Sequence, residues 1–260
     1  MKIFIEIGNY RLPTYGLMIV TGVLLANLVA TLLIKKYKLD QNDFIIIESY
    51  TFLGAIIGAK LLYIIVSYEQ IEWSRIFEKQ YFMALLQSGF VFYGGLIGGI
   101  ATALLAGKLH KINTLLYMKK LICFIPIIHA FGRIGCHLAG CCYGKPYDGI
   151  FSVVYPEKSL APSGIQLFPV QLFEAFFLLI IGLTILLLQL KFNFNKTVEL
   201  YLILYAILRF VLEYLRYDEI RGHLLFFSTS QWISIILICF MLIKEIILKI
   251  NKRKRISTTN

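Results

Sequence analysis

Five charged side chains fall inside long apolar runs of this 260-residue chain: Lys60, Arg133, Glu174, Arg209 and Glu213. A charge inside a membrane-length apolar segment costs about 2.5–3.5 kcal/mol on insertion scales, so each one needs a reason. Arg209 and Glu213 stand four residues apart, one helical turn. Two explanations compete. Either the charges pair internally, Arg209 with Glu213 and Arg133 with Glu174, or they line a polar cavity. Charges arriving from four separate runs favour the cavity. Arginines in it present planar forks suited to phosphate oxygens. His129 stands one turn before Arg133, on the same helix face. It is either a base or a buried structural histidine, and His137 is a second candidate base with poorer spacing.

Three of the five cysteines, Cys136, Cys141 and Cys142, fall within seven residues. Their spacing differs from the usual zinc-ligand pairs two to four residues apart. Adjacent cysteines serve one tetrahedral site only under strain. We rank small packing residues first, a disulfide on an oxidising face second and a metal third. No metal and no cofactor are expected.

These residues have to be positioned by membrane helices. Apolar residues make up 58% of the chain and charged residues 16%, against about 45–50% and 25% in soluble domains. The mean hydropathy is +0.75. This composition excludes a disordered chain, a secreted disulfide scaffold and a cytosolic enzyme. A helical span needs about 20 apolar residues, and seven stretches qualify or nearly so: roughly 14–34, 44–66, 90–107, 121–142, 170–190, 198–217 and 231–250. The expected fold is an all-α polytopic membrane protein. Glycines crowd two spans, Gly94, Gly95, Gly98 and Gly99 in the third and Gly132, Gly135 and Gly140 in the fourth. Tight helix packing accounts for most of them.

The net charge of +11 suggests nucleic acid until it is mapped onto the spans. With the C-terminus in the cytoplasm, fifteen Lys and Arg fall on that side, from Lys35 to the tail ending Lys252, Arg253, Lys254 and Arg255. Eight fall outside: Lys2, Arg11, Arg75, Lys79, Lys145, Lys158, Arg216 and Arg221. The positive-inside rule then sets the N-terminus outside and the C-terminus inside. The basic tail 251–260 is an anchor at anionic headgroups, and no nucleic-acid partner is expected. Residues 1–250 form one transmembrane domain with an outer loop at 145–168. The five buried charges lie in its outer half, where an anionic phospholipid is the fitting ligand. A transporter would place acids near the midplane within inverted repeats, and the sequence holds no convincing repeat.

The residues also carry a family likeness. GRIGCHLAGCCYG, Gly132–Gly144, resembles the signature loop of the prolipoprotein diacylglyceryl transferases, in a GCCYG-bearing branch. RLPTYGLMIV with Tyr15, GAKLLY with Lys60, GFVFYGGLIGG with Tyr93, Gly94 and Gly95, FPVQLFEA with Gln171 and Glu174, and YAILRFVLEYLR with Arg209 and Glu213 are similar to further family motifs, in order. The resemblance implies an enzyme of the bacterial cytoplasmic membrane, with its site toward the outer leaflet. It moves the diacylglyceryl group of phosphatidylglycerol onto the lipobox cysteine thiol of a prolipoprotein, and glycerol phosphate leaves. On this reading Arg133 and Arg209 hold the phosphate. Glu213 either orients Arg209 or pairs with Arg216, and Glu174 orients Arg133. Tyr15 and Tyr93 either hydrogen-bond the lipid or serve as interface anchors, and His129 is a candidate base. Lys60, Gln171, Gly94, Gly95 and Gly144 complete the phosphatidylglycerol site. Three positions depart from the family: Tyr93 stands where a histidine is usual, Cys136 where asparagine is, and Cys141 where an acid is. They support the rival reading, a non-catalytic lipid-binding membrane protein or a transporter on the same scaffold.

Overall fold

The computed structural model describes residues 3–8, 10–87, 89–157, 159–217 and 223–257. Lys2, Lys158 and Arg221 of the outer segments, and residues 258–260 of the tail, lie outside the described residues. The chain is mostly helical and divides into two compact units, Ile34–Met118 and Met1–Leu33 with Lys119–Asn260.

The 34–118 unit is built on two long apolar helices. Helix α2 (Gln41–Val66) starts where the Asp40 side chain accepts hydrogen bonds from the backbone N–H of Asn42 and Asp43, which satisfies two of the orphan donors of its first turn. Single 3-10 turns at Tyr68–Gln70 and Trp73–Arg75 follow, then the short helix α3 (Lys79–Gln87) and helix α4 (Phe92–His110). The sequence suggests only a polar connection where α3 lies. Helices α2 and α4 touch backbone to backbone. A Cβ on Gly58 or Gly94 would collide with the other's backbone, and Gly54 faces Gly98 in the same way. Thr102 Oγ1 donates across this contact to the Tyr50 carbonyl at 2.7 Å. The glycines of the third span therefore act as the packing surface expected of small residues in membrane helices.

The other unit opens with an antiparallel pair, β1 (Phe4–Ile7) and β2 (Tyr10–Pro13), that leads straight into α1 (Thr14–Tyr37). After the short helix α5 (Thr114–Leu121) comes α6 (Phe124–Ala139), bent from it by 62°. Helix α6 thus fills most of the fourth apolar run expected over 121–142, and the break falls at its start, after Leu121. Helix α6 ends at Gly140, whose φ of +75° suits glycine in a left-handed C-cap. The loop beyond contains β3 (Val153–Val154) and β4 (Gln166–Leu167). Helices α7 (Val170–Phe192) and α8 (Thr197–Glu213) follow, then β5 (His223–Leu224), β6 (Phe227–Ser228) and α9 (Thr229–Ser257). Helix α6 packs on α7, α7 on α8 and α8 on α9. Ala130, Ala175 and Leu178 form the apolar seam of this stack. A second small core holds the outer loop, where Tyr155, Ala161 and Leu167 are buried against Tyr143 and Val153.

Helices α1, α2, α4 and α7 are each long and apolar enough to cross a membrane, and the bent α5–α6 pair passes as a fifth. The three small strand pairs add to the expected all-helical fold. The first precedes α1 and the other two sit in connections, where backbone groups outside helices need partners of their own.

Candidate active site

Glu174 lies one turn into α7 with none of its side chain exposed. Around its carboxylate the stack gathers side chains from α6, α7, α8 and the turn after α8. Arg133 Nε is 3.0 Å from Oε2. Arg209 and Arg216 each bring an Nη1 to 3.9 Å of the same oxygen. His129 Nε2 stands 3.9 Å from Oε1, and the Tyr205 hydroxyl donates to that oxygen at 3.4 Å. The imidazole of His129 meets the Tyr205 ring edge to face at 5.1 Å. Arg209 Nη2 pairs with Glu213 at 2.6 Å and donates to Ser230 Oγ at 3.1 Å.

Helix geometry explains the convergence. His129 and Arg133 are one turn apart on α6 and project the same way, so one buried carboxylate on α7 faces both. Arg209 and Glu213 repeat that spacing on α8. The sequence placed Arg216 in an outer polar segment, and the structure corrects this: Arg216 is buried. Helix α8 ends at Glu213 in tightening turns, with Leu215 N–H bonded to the Leu212 carbonyl and Arg216 N–H to that of Glu213. The chain then pairs with the loop after α6. Gly144 and Arg216 form an antiparallel bridge, and Lys145 N–H donates to the Leu215 carbonyl at 2.9 Å. A Cβ at Gly144 would strike the Phe168 carbonyl and come within 2.9 Å of the Leu215 carbonyl. Gly144 therefore acts by letting two backbones meet, which carries the Arg216 side chain inward.

Gln171, one turn before Glu174 on α7, belongs to a neighbouring network. Its Nε2 donates to the Cys141 carbonyl at 2.8 Å and to the Tyr155 hydroxyl at 3.1 Å. Tyr155 also contacts His137 Nδ1 at 3.1 Å. Burial pushes the Tyr155 hydroxyl up to about 12. His137 is thus engaged in holding the outer loop, whereas His129 sits at the arginine cluster. Tyr15, at the start of α1, packs against α6, where a Cβ on Gly135 would come within 3.0 Å of its ring.

The remaining candidates lie in the 34–118 unit. The Lys60 ammonium donates to the Leu85 carbonyl and stands over the rings of Tyr63 and Phe90, at 4.9 and 5.2 Å from their centroids. Tyr93 is part-exposed beside Phe92. Gly94 and Gly95 face α2, Gly94 against Gly58 and Gly95 against Ala55 and Ala59. Sequence reasoning missed Arg216 and Tyr205. Residues 209, 213 and 216 have the i, i+4, i+7 spacing of a helix face, but α8 ends at Glu213 and Arg216 lies in the turn beyond it.

Chemically, the cluster sets three guanidiniums against the carboxylates of Glu174 and Glu213, an excess of one positive charge among the described residues. A buried site with surplus, fork-shaped donors is suited to an anion with several oxygens.

Comparison with known proteins shows the family. Residues 2–247 match the family model for prolipoprotein diacylglyceryl transferase. The chain is 35% identical to phosphatidylglycerol–prolipoprotein diacylglyceryl transferase 2 of Clostridium perfringens over 252 residues, 96% of this chain and 94% of that one. It is 33% identical to the phosphatidylglycerol–prolipoprotein diacylglyceryl transferase of Clostridium tetani, covering 90% and 92% of the two chains. The corresponding enzyme of Rickettsia canadensis is 28% identical, covering 84% and 85%. The chain belongs to the prolipoprotein diacylglyceryl transferase family.

Proposed function

We infer that this chain transfers the diacylglyceryl group of phosphatidylglycerol to the lipobox cysteine of prolipoproteins. It is a transferase of lipoprotein biosynthesis, as its relatives are named. The observation that supports the site is the meeting of Arg133, Arg209 and Arg216 on Glu174, in a buried cluster with one cation in excess. The phosphate of the lipid supplies the missing negative charge. Arg133 and Arg209 hold its oxygens and stabilise the charge that develops as glycerol phosphate leaves. Arg216 adds to the same field. Glu174 fixes the guanidiniums at mutual distances they would not otherwise keep, and Glu213 orients Arg209. In the reaction the acceptor sulfur bonds to the glyceryl carbon, the bond from that carbon to the phosphate oxygen breaks, and the thiol proton passes to a base. In this reading His129, 3.9 Å from Glu174 and edge to face with Tyr205, is that base.

Both substrates arrive within the bilayer, so the site opens toward lipid in the outer leaflet of the bacterial cytoplasmic membrane. Helices α1, α2, α4, α6, α7, α8 and α9 supply seven spans, with the N-terminus outside and the tail 251–260 in the cytoplasm. This assignment uses the asymmetry of basic residues. Residues 1–250 act as one catalytic membrane domain. Tyr15, Gln171 and Gly144 support the site from α1, α7 and the loop after α6. Lys60, Tyr93, Gly94 and Gly95 lie in the 34–118 unit, and a share in lipid binding is for them only what their family motifs imply. The relatives are named as transferases, and the non-catalytic reading is not favoured.

The test is direct. Purified protein is incubated with phosphatidylglycerol and a peptide carrying a lipobox cysteine, and the products are weighed by mass spectrometry. A thioether-linked diacylglyceryl peptide supports the reading. No product, with failure to replace the enzyme in depleted cells, refutes it.

A further inference from the structure

The arginine cluster leaves a second group of reactive side chains without a role. The Sγ atoms of Cys136, Cys141 and Cys142 all lie within 4.8 Å of one another. None of the three is in a disulfide. Cys136 is buried near the end of α6, one turn beyond Arg133, and the other two are half-buried just past the helix cap. Thiolates around a zinc-class cation at about 2.3 Å stand about 3.8 Å apart, so little movement separates the observed cluster from a ligand set.

Adjacent cysteines can share one site only if the backbone between them turns sharply. It does: Cys142 has a φ of +60°, a left-handed conformation uncommon for a residue with a side chain. The chain leaves α6 through Gly140, also left-handed, and folds both thiols back over Cys136. The surroundings suit a thiolate centre. Arg133 acts electrostatically on Cys136 and Cys142, and Arg216 on Cys142. Among the described residues no fourth histidine, cysteine or carboxylate joins the group. His137, next in sequence to Cys136, is held by Tyr155. Three protein ligands and an open fourth position are the pattern of a catalytic rather than a structural zinc site.

We propose that Cys136, Cys141 and Cys142 bind a thiophilic divalent cation of the zinc class, and that its fourth position takes the acceptor thiol. The role rests on the transferase reading above, because the ligand named is that reaction's nucleophile. A thiol that coordinates such a cation loses its proton more readily, and the proton passes to the base of the transferase reading. The bound sulfur then attacks the glyceryl carbon, the S–C bond forms, and the electron pair of the breaking C–O bond leaves on glycerol phosphate beside Arg133 and Arg209. No oxidation state changes.

The test uses the full-length protein in detergent, stripped with a chelator and kept reduced by a phosphine. Titration with Co²⁺ or Cd²⁺ is followed by sulfur-to-metal charge-transfer absorption. The expected result is saturation at one equivalent with the intensity of three thiolates. Apparent affinity falls at least tenfold in Cys136→Ser, Cys141→Ser and Cys142→Ser, each checked for an unchanged melting curve. Adding the lipobox peptide to loaded wild-type protein raises the absorption by one third, and a peptide with serine for its cysteine does not. That last arm needs no variant of the enzyme. Absence of charge transfer in a wild-type protein that still makes the thioether product overturns the site. Charge transfer indifferent to the peptide overturns the role. Loss of the product alone, with the titration intact, counts against the transferase reading instead.

Discussion

Glu174→Gln isolates the charge of the residue at the centre of the cluster, because the amide has the same shape as the carboxylate. The Glu174 side chain is wholly buried, and its partners Arg133, Arg209 and Arg216 are 16%, 9% and 3% exposed. Removing one partner of a buried ion pair costs about 3–5 kcal/mol, because the other charge is left uncompensated. Here one carboxylate compensates several guanidiniums, so the upper part of that range applies. For a chain of this size about 1 kcal/mol shifts the melting temperature by roughly 2–4 °C. The expected loss in Glu174→Gln is therefore on the order of 10–20 °C, read by thermal unfolding in detergent. Adding Arg216→Gln removes one charge of the opposite sign and should restore at least half of the lost stability. Diacylglyceryl transfer should remain low in both variants, since neither regains the phosphate geometry. If Glu174→Gln melts within 1 °C of wild type, or the double variant is no more stable than the single, the charge-balance account of the cluster is wrong.

Other consequences can be checked with the same assays. Gly144→Ala forces a Cβ against the carbonyls of Phe168 and Leu215; we expect about 1–3 kcal/mol of destabilisation and a loss of transfer larger than that of a neutral loop change such as Tyr147→Phe. Tyr155→Phe removes the hydroxyl shared by His137 and Gln171, costing about 1–3 kcal/mol, and should expose the 145–168 loop to limited proteolysis. The Tyr155 hydroxyl is raised by burial to about 12, so the folded state holds that proton above the ordinary tyrosine range. Stability from this group is complete below pH 10 and lost as pH rises toward 12; chemical unfolding across that window should show a decline in wild type that is smaller in Tyr155→Phe. Gly58→Leu places a large side chain where α2 and α4 meet backbone to backbone, and should lower the melting temperature more than Leu61→Ala on the exposed face of α2.

The membrane class and most of the helices were legible because apolar runs of about 20 residues have few alternatives. Arg133, Glu174, Arg209 and Glu213 stood out for the opposite reason, as costly exceptions inside those runs. Arg216 did not, because it follows the last apolar residues and reads as a polar edge; only the backbone pairing at Gly144 turns it inward. The short helix α5 was not legible because Lys119 and Lys120 make its stretch read as a polar connection. The β1–β2 hairpin was legible in principle from the alternation of FIEI and YRLP around a glycine at φ +59°, but short alternations are weak beside long apolar helices. The cysteine cluster was visible as spacing, whereas the mutual approach of its three sulfurs depends on the left-handed turn at Cys142.

Arg133 and Arg209 carry the proposed chemistry, as donors to the departing glycerol phosphate. Losing one donor to a developing anion costs about 10²–10³-fold in rate. The measurement is the initial rate of thioether product from phosphatidylglycerol and a lipobox peptide, for wild type, Arg133→Ala and Arg209→Ala, with each variant shown to be folded by its melting curve. The prediction is a loss of at least about a hundredfold in each. Folded variants that turn over at the wild-type rate would contradict the phosphate site placed at this cluster.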